Sequence, residues 1–177
     1  MKINTRFILT WAAAVALMSA CVPPANDDAE QAAQAGPPAV AAPSPEDELA
    51  AFKKAIRAQY DLKEKAFADN DADLVVDQFY SEDVYSVDNE GNAHSGREAL
   101  RAIYHEVVPP HTVKVESIRS HVDGNSGWDW TNFYVTPDDP EGEAFSFVIL
   151  FLWEQRDGKW WSVGDIYVLG ELTAEAH

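Results

Sequence analysis

Helical patterns gather in the first half of residues 46–177 and long strand patterns fill the second half, which predicts an α+β domain. Two further observations shape that prediction. An apolar stripe at helical spacing opens the domain and is long enough for one dominant helix. The later strands follow one another through tight turns, as an antiparallel meander does. A curved antiparallel sheet wrapped around the long N-terminal helix leaves a conical cavity between the two layers, and that is the expected architecture.

The elements follow in order. Ser44-Pro45-Glu46-Asp47 starts the first helix with a serine cap, proline at the first helical position and acid in the first turn. Leu49, Phe52, Ile56, Tyr60, Lys63 and Phe67 share one face of it. Asp71 caps a second, shorter helix that turns Leu74, Val75 and Phe79 inward. Val84 to Val87 reads as a short strand, turned back by Asp88-Asn89-Glu90-Gly91-Asn92. Ser95-Gly96-Arg97-Glu98 has the pattern of a capping box, opening a third helix that carries Leu100, Ile103, Tyr104 and Val107. Pro109-Pro110 stops it. Thr112 to Val122 alternates and then loses phase near Ile118, where a bulge is expected. Asp123-Gly124-Asn125 turns the chain into a second long strand, Gly127 to Thr136, with Trp128, Trp130 and Tyr134 on one face. After a polar loop, Phe145 to Trp153 is nearly continuous apolar sequence, the mark of a strand buried on both sides. Asp157-Gly158 turns it into the last strand, Trp160 to Leu169. Strict alternation there sets Val163, Asp165 and Tyr167 on one face and Trp160, Ser162 and Ile166 on the other.

The chain before this domain has a different character. Lys2 and Arg6 precede an apolar run from Phe7 to Met18, and Ser19 and Ala20 lead to Cys21. The run is shorter than the roughly 20 apolar residues that cross a bilayer comfortably. Leu17-Met18-Ser19-Ala20-Cys21 resembles the lipobox of bacterial lipoproteins. That resemblance implies a signal peptide at 1–20 and acylation of Cys21, with the membrane as a partner through the acyl chains. Val22 stands where aspartate would mark inner-membrane retention, so the implied location is the cell envelope, at the outer membrane facing the periplasm. Residues 21–45 are rich in proline and alanine, lack aromatic and basic residues, and read as a disordered tether.

Composition excludes several classes of function. Cys21 is the single cysteine, so once it is acylated no thiol remains for a disulfide, a nucleophile or a zinc–cysteine site. The formal net charge is −17, and removal of Lys2 and Arg6 with the signal makes it more negative. Such a chain is a poor partner for nucleic acid or for anionic lipid headgroups. The five histidines have no compact ligand spacing, so no metal is expected. Nor is any cofactor expected, because phosphate-loop and nucleophile-elbow patterns are missing from the sequence.

Residues 46–177 resemble the SnoaL-like and nuclear-transport-factor-two-like superfamily. The resemblance rests on Asn70-Asp71-Ala72-Asp73-Leu74, Phe79-Tyr80-Ser81-Glu82-Asp83-Val84, His94-Ser95-Gly96-Arg97-Glu98-Ala99-Leu100, and the Trp153–Trp161 hairpin. It implies the cone-shaped fold, and with it isomerase, cyclase, dehydratase, hydrolase or plain binding functions. Against the ketosteroid isomerases of that superfamily, Asp88 falls at the general-base position, and Tyr80 and Tyr104 at positions of supporting tyrosines. The oxyanion donors do not carry over: Lys63 and Leu150 stand in their places. Without them an enolate lacks its stabiliser, so ketosteroid isomerase activity is not expected.

Candidate residues follow from these readings, each with two possible roles. Asp88 is either a proton-abstracting base or turn chemistry. Asp165, mid-strand among apolar neighbours, is either an acid that orients a ligand or reacts with it, or a buried partner of Arg97, Lys63 or a histidine. Tyr60, Tyr104 and Tyr167 offer hydroxyls to a ligand, and Trp128 and Trp130 offer stacking faces, or all serve the core. An outward tryptophan face would also suit a homodimer. His94 lies within reach of a cavity mouth; a cyclase-like pair of Asp165 with His94 or His121 is the remaining combination. The leading expectation is binding of a small apolar or amphipathic molecule. A cofactor-independent acid/base enzyme and a pure interaction module are the alternatives.

Overall fold

The computed structural model describes residues 43–173. The predicted signal peptide, Cys21, the tether as far as residue 42, and His177 lie outside the described residues. The described chain runs α1 (Pro45–Ala68), α2 (Ala72–Gln78), β1 (Tyr80–Val87), β2 (Ala93–Ser95), α3 (Arg97–Val107), β3 (His111–Asp123), β4 (Ser126–Pro137), β5 (Phe145–Arg156) and β6 (Lys159–Leu169). One six-stranded open sheet has the order β2-β1-β6-β5-β4-β3. The fold is α+β, as expected.

The sheet's inner face and the apolar stripe of α1 make the core. Phe52, Ile56, Tyr60 and Phe67 of α1 are buried against Val115, Phe133, Phe151, Trp153 and Trp160 of the strands. Ser44 caps α1 by accepting from the Asp47 amide, and Asp71 caps α2 by accepting from the Leu74 amide at 2.9 Å. The Asp157-Gly158 turn has φ of 53° and 78°, the left-handed pair that matches a two-residue hairpin to strand twist.

Four local expectations are corrected. The capping box at Ser95 does not form: Ser95 pairs with Tyr85 in the β1–β2 ladder, and Gly96, at φ 81°, turns the chain into α3 without a side-chain cap. The sheet is mixed, because β1 runs parallel to β6 while all other pairs are antiparallel. Gly164 permits that close pairing, since a Cβ there would lie 2.9 Å from the Tyr85 carbonyl oxygen. Strand β5 is not covered on both sides, because Leu152 on its outer face is 45% exposed.

The fourth correction concerns β6. Leu152 pairs with Gly164 and Trp153 with Ser162, so Val163 is an extra residue. This bulge reverses the alternation: Trp160 and Ser162 join Asp165 and Tyr167 on the inner face, and Trp160 packs edge-on against Phe52 with centroids 4.8 Å apart. The bulge foreseen in β3 is present, since Ser117 pairs with Thr131 and Arg119 with Trp130, leaving Ile118 unpaired.

Candidate functional site: a buried amine and a buried carboxyl in an apolar cavity

A cavity of about 180 Å³ lies between α1, α3 and the inner face of the sheet. Most of its wall is apolar, including Phe67, Leu100, Ile103, Phe133, Val135, Phe147 and Ile149. Its polar residues include five that form one connected cluster: Lys63, Tyr80, Ser86, Tyr104 and Asp165.

The cluster is assembled from four elements of the chain. Helix α1 presents Lys63 on its core face, one turn after Tyr60. β1 supplies Tyr80 and Ser86, β6 supplies Asp165 beside Ser86 in the parallel ladder, and α3 supplies Tyr104. Lys63 Nζ donates to the Tyr80 hydroxyl at 3.0 Å and to the Tyr104 hydroxyl at 2.9 Å. The two hydroxyls are 2.6 Å apart. Tyr80 donates to Asp165 Oδ2 at 2.8 Å, and Ser86 Oγ donates to Oδ1 at 2.5 Å. With Lys63 charged, its ammonium only donates, so one directional chain results: Tyr104 to Tyr80 to Asp165.

Electrostatics bring amine and acid towards their neutral forms. Burial lowers Lys63 to about 7, against the opposing pull of Asp165. Burial raises Asp165, opposed by Lys63 and by the Ser86 and Tyr80 hydrogen bonds. Tyr80 and Tyr104 are raised by burial and by the Asp165 charge, so both remain hydroxyl donors. The Lys63 amine also lies 4.3 Å from the centroid of the Phe79 ring, a contact that favours its cation.

The sequence-predicted residues divide. Asp165, Tyr104, Tyr167 and His94 line the cavity. Tyr60 does not: it is buried in the core and donates to Asp129 Oδ2 at 2.8 Å. Asp129 is a second buried acid, satisfied also by Ser117 and Ser120 at 2.7 Å each, and it ties α1 to β4. Trp128 and Trp130 lie on the outer face of β4, because Asp129, Thr131 and Phe133 between and after them are the buried residues. Leu150 likewise stands opposite Trp130 and Ile166, away from the cavity, so it occupies no cavity-acid position.

Asp88 is engaged by its own turn. Its Oδ1 accepts from the Glu90 and Asn92 amides at 2.9 and 2.8 Å, and its Oδ2 accepts from Asn92 Nδ2 at 2.9 Å. His94 Nε2 is 3.4 Å from the same Oδ2. The Asn92 hydrogen bonds, with those from Glu90 and His94, hold the carboxyl at about 2, which makes it a weak base.

Arg97 is not Asp165's direct partner; it donates to the Tyr80 carbonyl at 2.8 Å. Lys63 reaches Asp165 through the Tyr80 hydroxyl. Ser86 was missed by sequence reasoning. Its signal was available, since a serine among apolar strand residues, on the face of Val84, points inward.

Comparison with known proteins agrees with this architecture. A family model for the SnoaL-like domain matches residues 56–163. No curated protein matches the chain in sequence. A protein of unknown function from Mycobacterium tuberculosis is 20% identical, with 75% of this chain and 79% of that one covered at a TM-score of 0.64. A ketosteroid isomerase-like protein from Erwinia carotovora atroseptica is 16% identical, with 67% and 96% covered at 0.55. An NTF-2 like protein of unknown function from Shewanella oneidensis is 15% identical, with 66% and 98% covered at 0.58. At these identities the solved structures show a shared fold. The match over residues 56–163, carried by the same helices and strands that build the cavity, makes this chain a member of the SnoaL-like domain family.

Proposed function

We propose that the domain binds a small, mostly apolar molecule bearing one oxygen that can hydrogen-bond. The observation that carries this reading is one connected polar cluster in a mostly apolar cavity. A dry cavity of about 150 Å³ accepts benzene. A cavity of about 180 Å³ therefore suits a molecule of one ring. The third N–H of Lys63, not taken up by Tyr80 or Tyr104, would donate to the ligand oxygen, with the two phenols and Asp165 fixing its orientation. Tyr167 and His94 contribute at the wall.

The cluster also supports a cofactor-independent acid/base role, with Asp165 as the proton acceptor. The specific observation is that Tyr80 couples Asp165 to an amine and both groups are shifted towards neutrality. Asp88 is less suited to that role because its turn holds its proton affinity low.

The sequence supports a second layer of the proposal: anchoring in the cell envelope through an acylated Cys21. Pairing with a second copy through the outer sheet face is supported by Trp130, Leu150 and Ile166, which stand abreast on adjacent strands.

Thermal melting in the presence of benzyl alcohol or cyclohexanol tests the binding reading. Both should raise the melting temperature progressively with ligand concentration, logarithmically once the site is filled, and glucose should not. Asp165→Asn should weaken binding about fivefold or more, equivalent to about 1 kcal/mol, while changing thermal stability less. Equal losses in Asp165→Asn and in a core variant such as Val75→Ala would mark Asp165 as structural and sink the reading. Native mass spectrometry of protein purified from its own host should show a bound small molecule.

A further inference from the structure

We propose that Lys63 captures aldehydes and ketones of about one ring in size as a reversible imine within the cavity. This deepens the binding proposal and rests on its reading of the cavity as a small-molecule site.

The geometry supplies each part the reaction needs. The amine lines the cavity although the residue is only 1% exposed. Both its hydrogen-bond partners are phenols, and Tyr80 stands between it and Asp165. A proton leaving the nitrogen therefore has a hydrogen-bonded route to a carboxyl that burial has made more basic. A nucleophilic amine must be free of its proton, and burial lowers Lys63 to about 7, as desolvated reactive lysines require.

The balance is simple. The proton of the Lys63 ammonium first passes through Tyr80 to Asp165, which frees the Nζ lone pair. That lone pair forms a C–N bond to the carbonyl carbon while the C=O π pair moves to the oxygen, which takes a proton from Tyr104. The nitrogen's surplus proton passes to Tyr104 and restores its hydroxyl, giving a neutral carbinolamine. Asp165 returns its proton through Tyr80 and Tyr104 to the carbinolamine hydroxyl, the C–O bond breaks, water leaves, and a protonated imine remains beside the Asp165 carboxylate. That cation keeps the Phe79 face 4.3 Å from the original ammonium position, and the apolar wall limits the water that would hydrolyse it. Release is the same sequence reversed.

The test uses the full chain with limiting benzaldehyde and sodium cyanoborohydride at pH 7, followed by peptide mass mapping. At this pH the free-amine fraction at Lys63 exceeds that at an ordinary lysine by about 10³. Allowing for the weaker nucleophilicity of a less basic amine, benzylation at Lys63 should outrun that at exposed Lys53, Lys54 and Lys114 by about 100-fold. Its rate should rise with pH through a midpoint near 7. Excess benzyl alcohol, of similar size but without a carbonyl, should slow it. Labels spread over exposed lysines with Lys63 unmodified would overturn the inference. If benzyl alcohol still raises the melting temperature in that case, the binding site stands and only imine formation fails. If neither molecule binds, both readings fall.

Discussion

Lys63 and Asp165 make opposite demands on folding. In the folded chain Lys63 titrates near 7, and in the unfolded chain near about 10.4. Between those values the unfolded chain holds a proton that the folded chain does not, so stability rises with pH and is lost as pH falls towards 7. One such group contributes up to about 1.4 kcal/mol per pH unit. Asp165 has a raised folded value, so its contribution is full below the ordinary carboxylate range and is lost as pH rises through that raised value. The raised phenols of Tyr60, Tyr80 and Tyr104 act only above about pH 10, where their unfolded counterparts ionise. In the interval from 7 to 10 Lys63 therefore drives a climb, and the partly buried Lys159, also lowered by burial, adds to it with the same sign. Urea unfolding of the wild type should give a free energy that climbs between pH 7 and 9.5, with a distinctly shallower climb in Lys63→Met. Parallel profiles for the two proteins would show that Lys63 keeps its proton throughout.

At the scale of the element, the sheet presents two unlike faces. Its inner face is filled by α1 and the cavity. On its outer face Leu152, Ile166 and Val168 are 45%, 45% and 51% exposed, and Ile166 and Trp130 flank Leu150 in register. A contiguous apolar face of this kind suits burial against another surface. The proposed homodimer should appear in light scattering behind size exclusion at twice the chain mass. Ile166→Glu should shift it to a monomer with an unchanged far-ultraviolet spectrum. A wild type that is monomeric at high micromolar concentration would rule the pairing out. The same strands explain what the sequence disclosed. The Ile118 bulge was legible because the apolar pattern visibly lost phase there. The Val163 bulge was hidden: Val163 is itself apolar and Gly164 has no side chain, so the alternation looked unbroken while the face of Trp160 had changed. The parallel β1–β6 pair left no trace, because no turn joins those strands and only turns signal pairing locally. In β4 the inner positions hold Asp129 and Thr131, whose polarity is satisfied by Tyr60, by serines and by the Ile149 carbonyl, so the tryptophans looked like the face of interest. For the cavity, Asp165 and Tyr104 were legible as polar groups on core faces, and Lys63 as a member of the α1 stripe. Their joining through Tyr80 depends on contacts far apart in sequence.

For the whole molecule, charge and acyl chain give opposite accounts of how the protein would meet a membrane. The formal net charge of −17 makes attraction to anionic lipid unfavourable, so electrostatic docking predicts no membrane association at all. The lipobox-like ending at Cys21 predicts the reverse, because two or more acyl chains hold a protein stably where one does not. The proposed anchor therefore makes the membrane-bound fraction depend on one residue and hardly at all on ionic strength. When the full chain is expressed in a bacterial host, it should sediment with membranes and stay there through a wash in 1 M salt, conditions under which the Debye length is only about 3 Å. Cys21→Ser should move it to the soluble fraction while leaving melting of the domain within about 1 °C, since the apolar periodicity that predicts the core begins only at Leu49. Release of the wild type by salt, or continued sedimentation of Cys21→Ser, would count against the acyl anchor. The first result would assign the contact to surface charge, and the second to retention of the uncleaved apolar run from Phe7 to Met18.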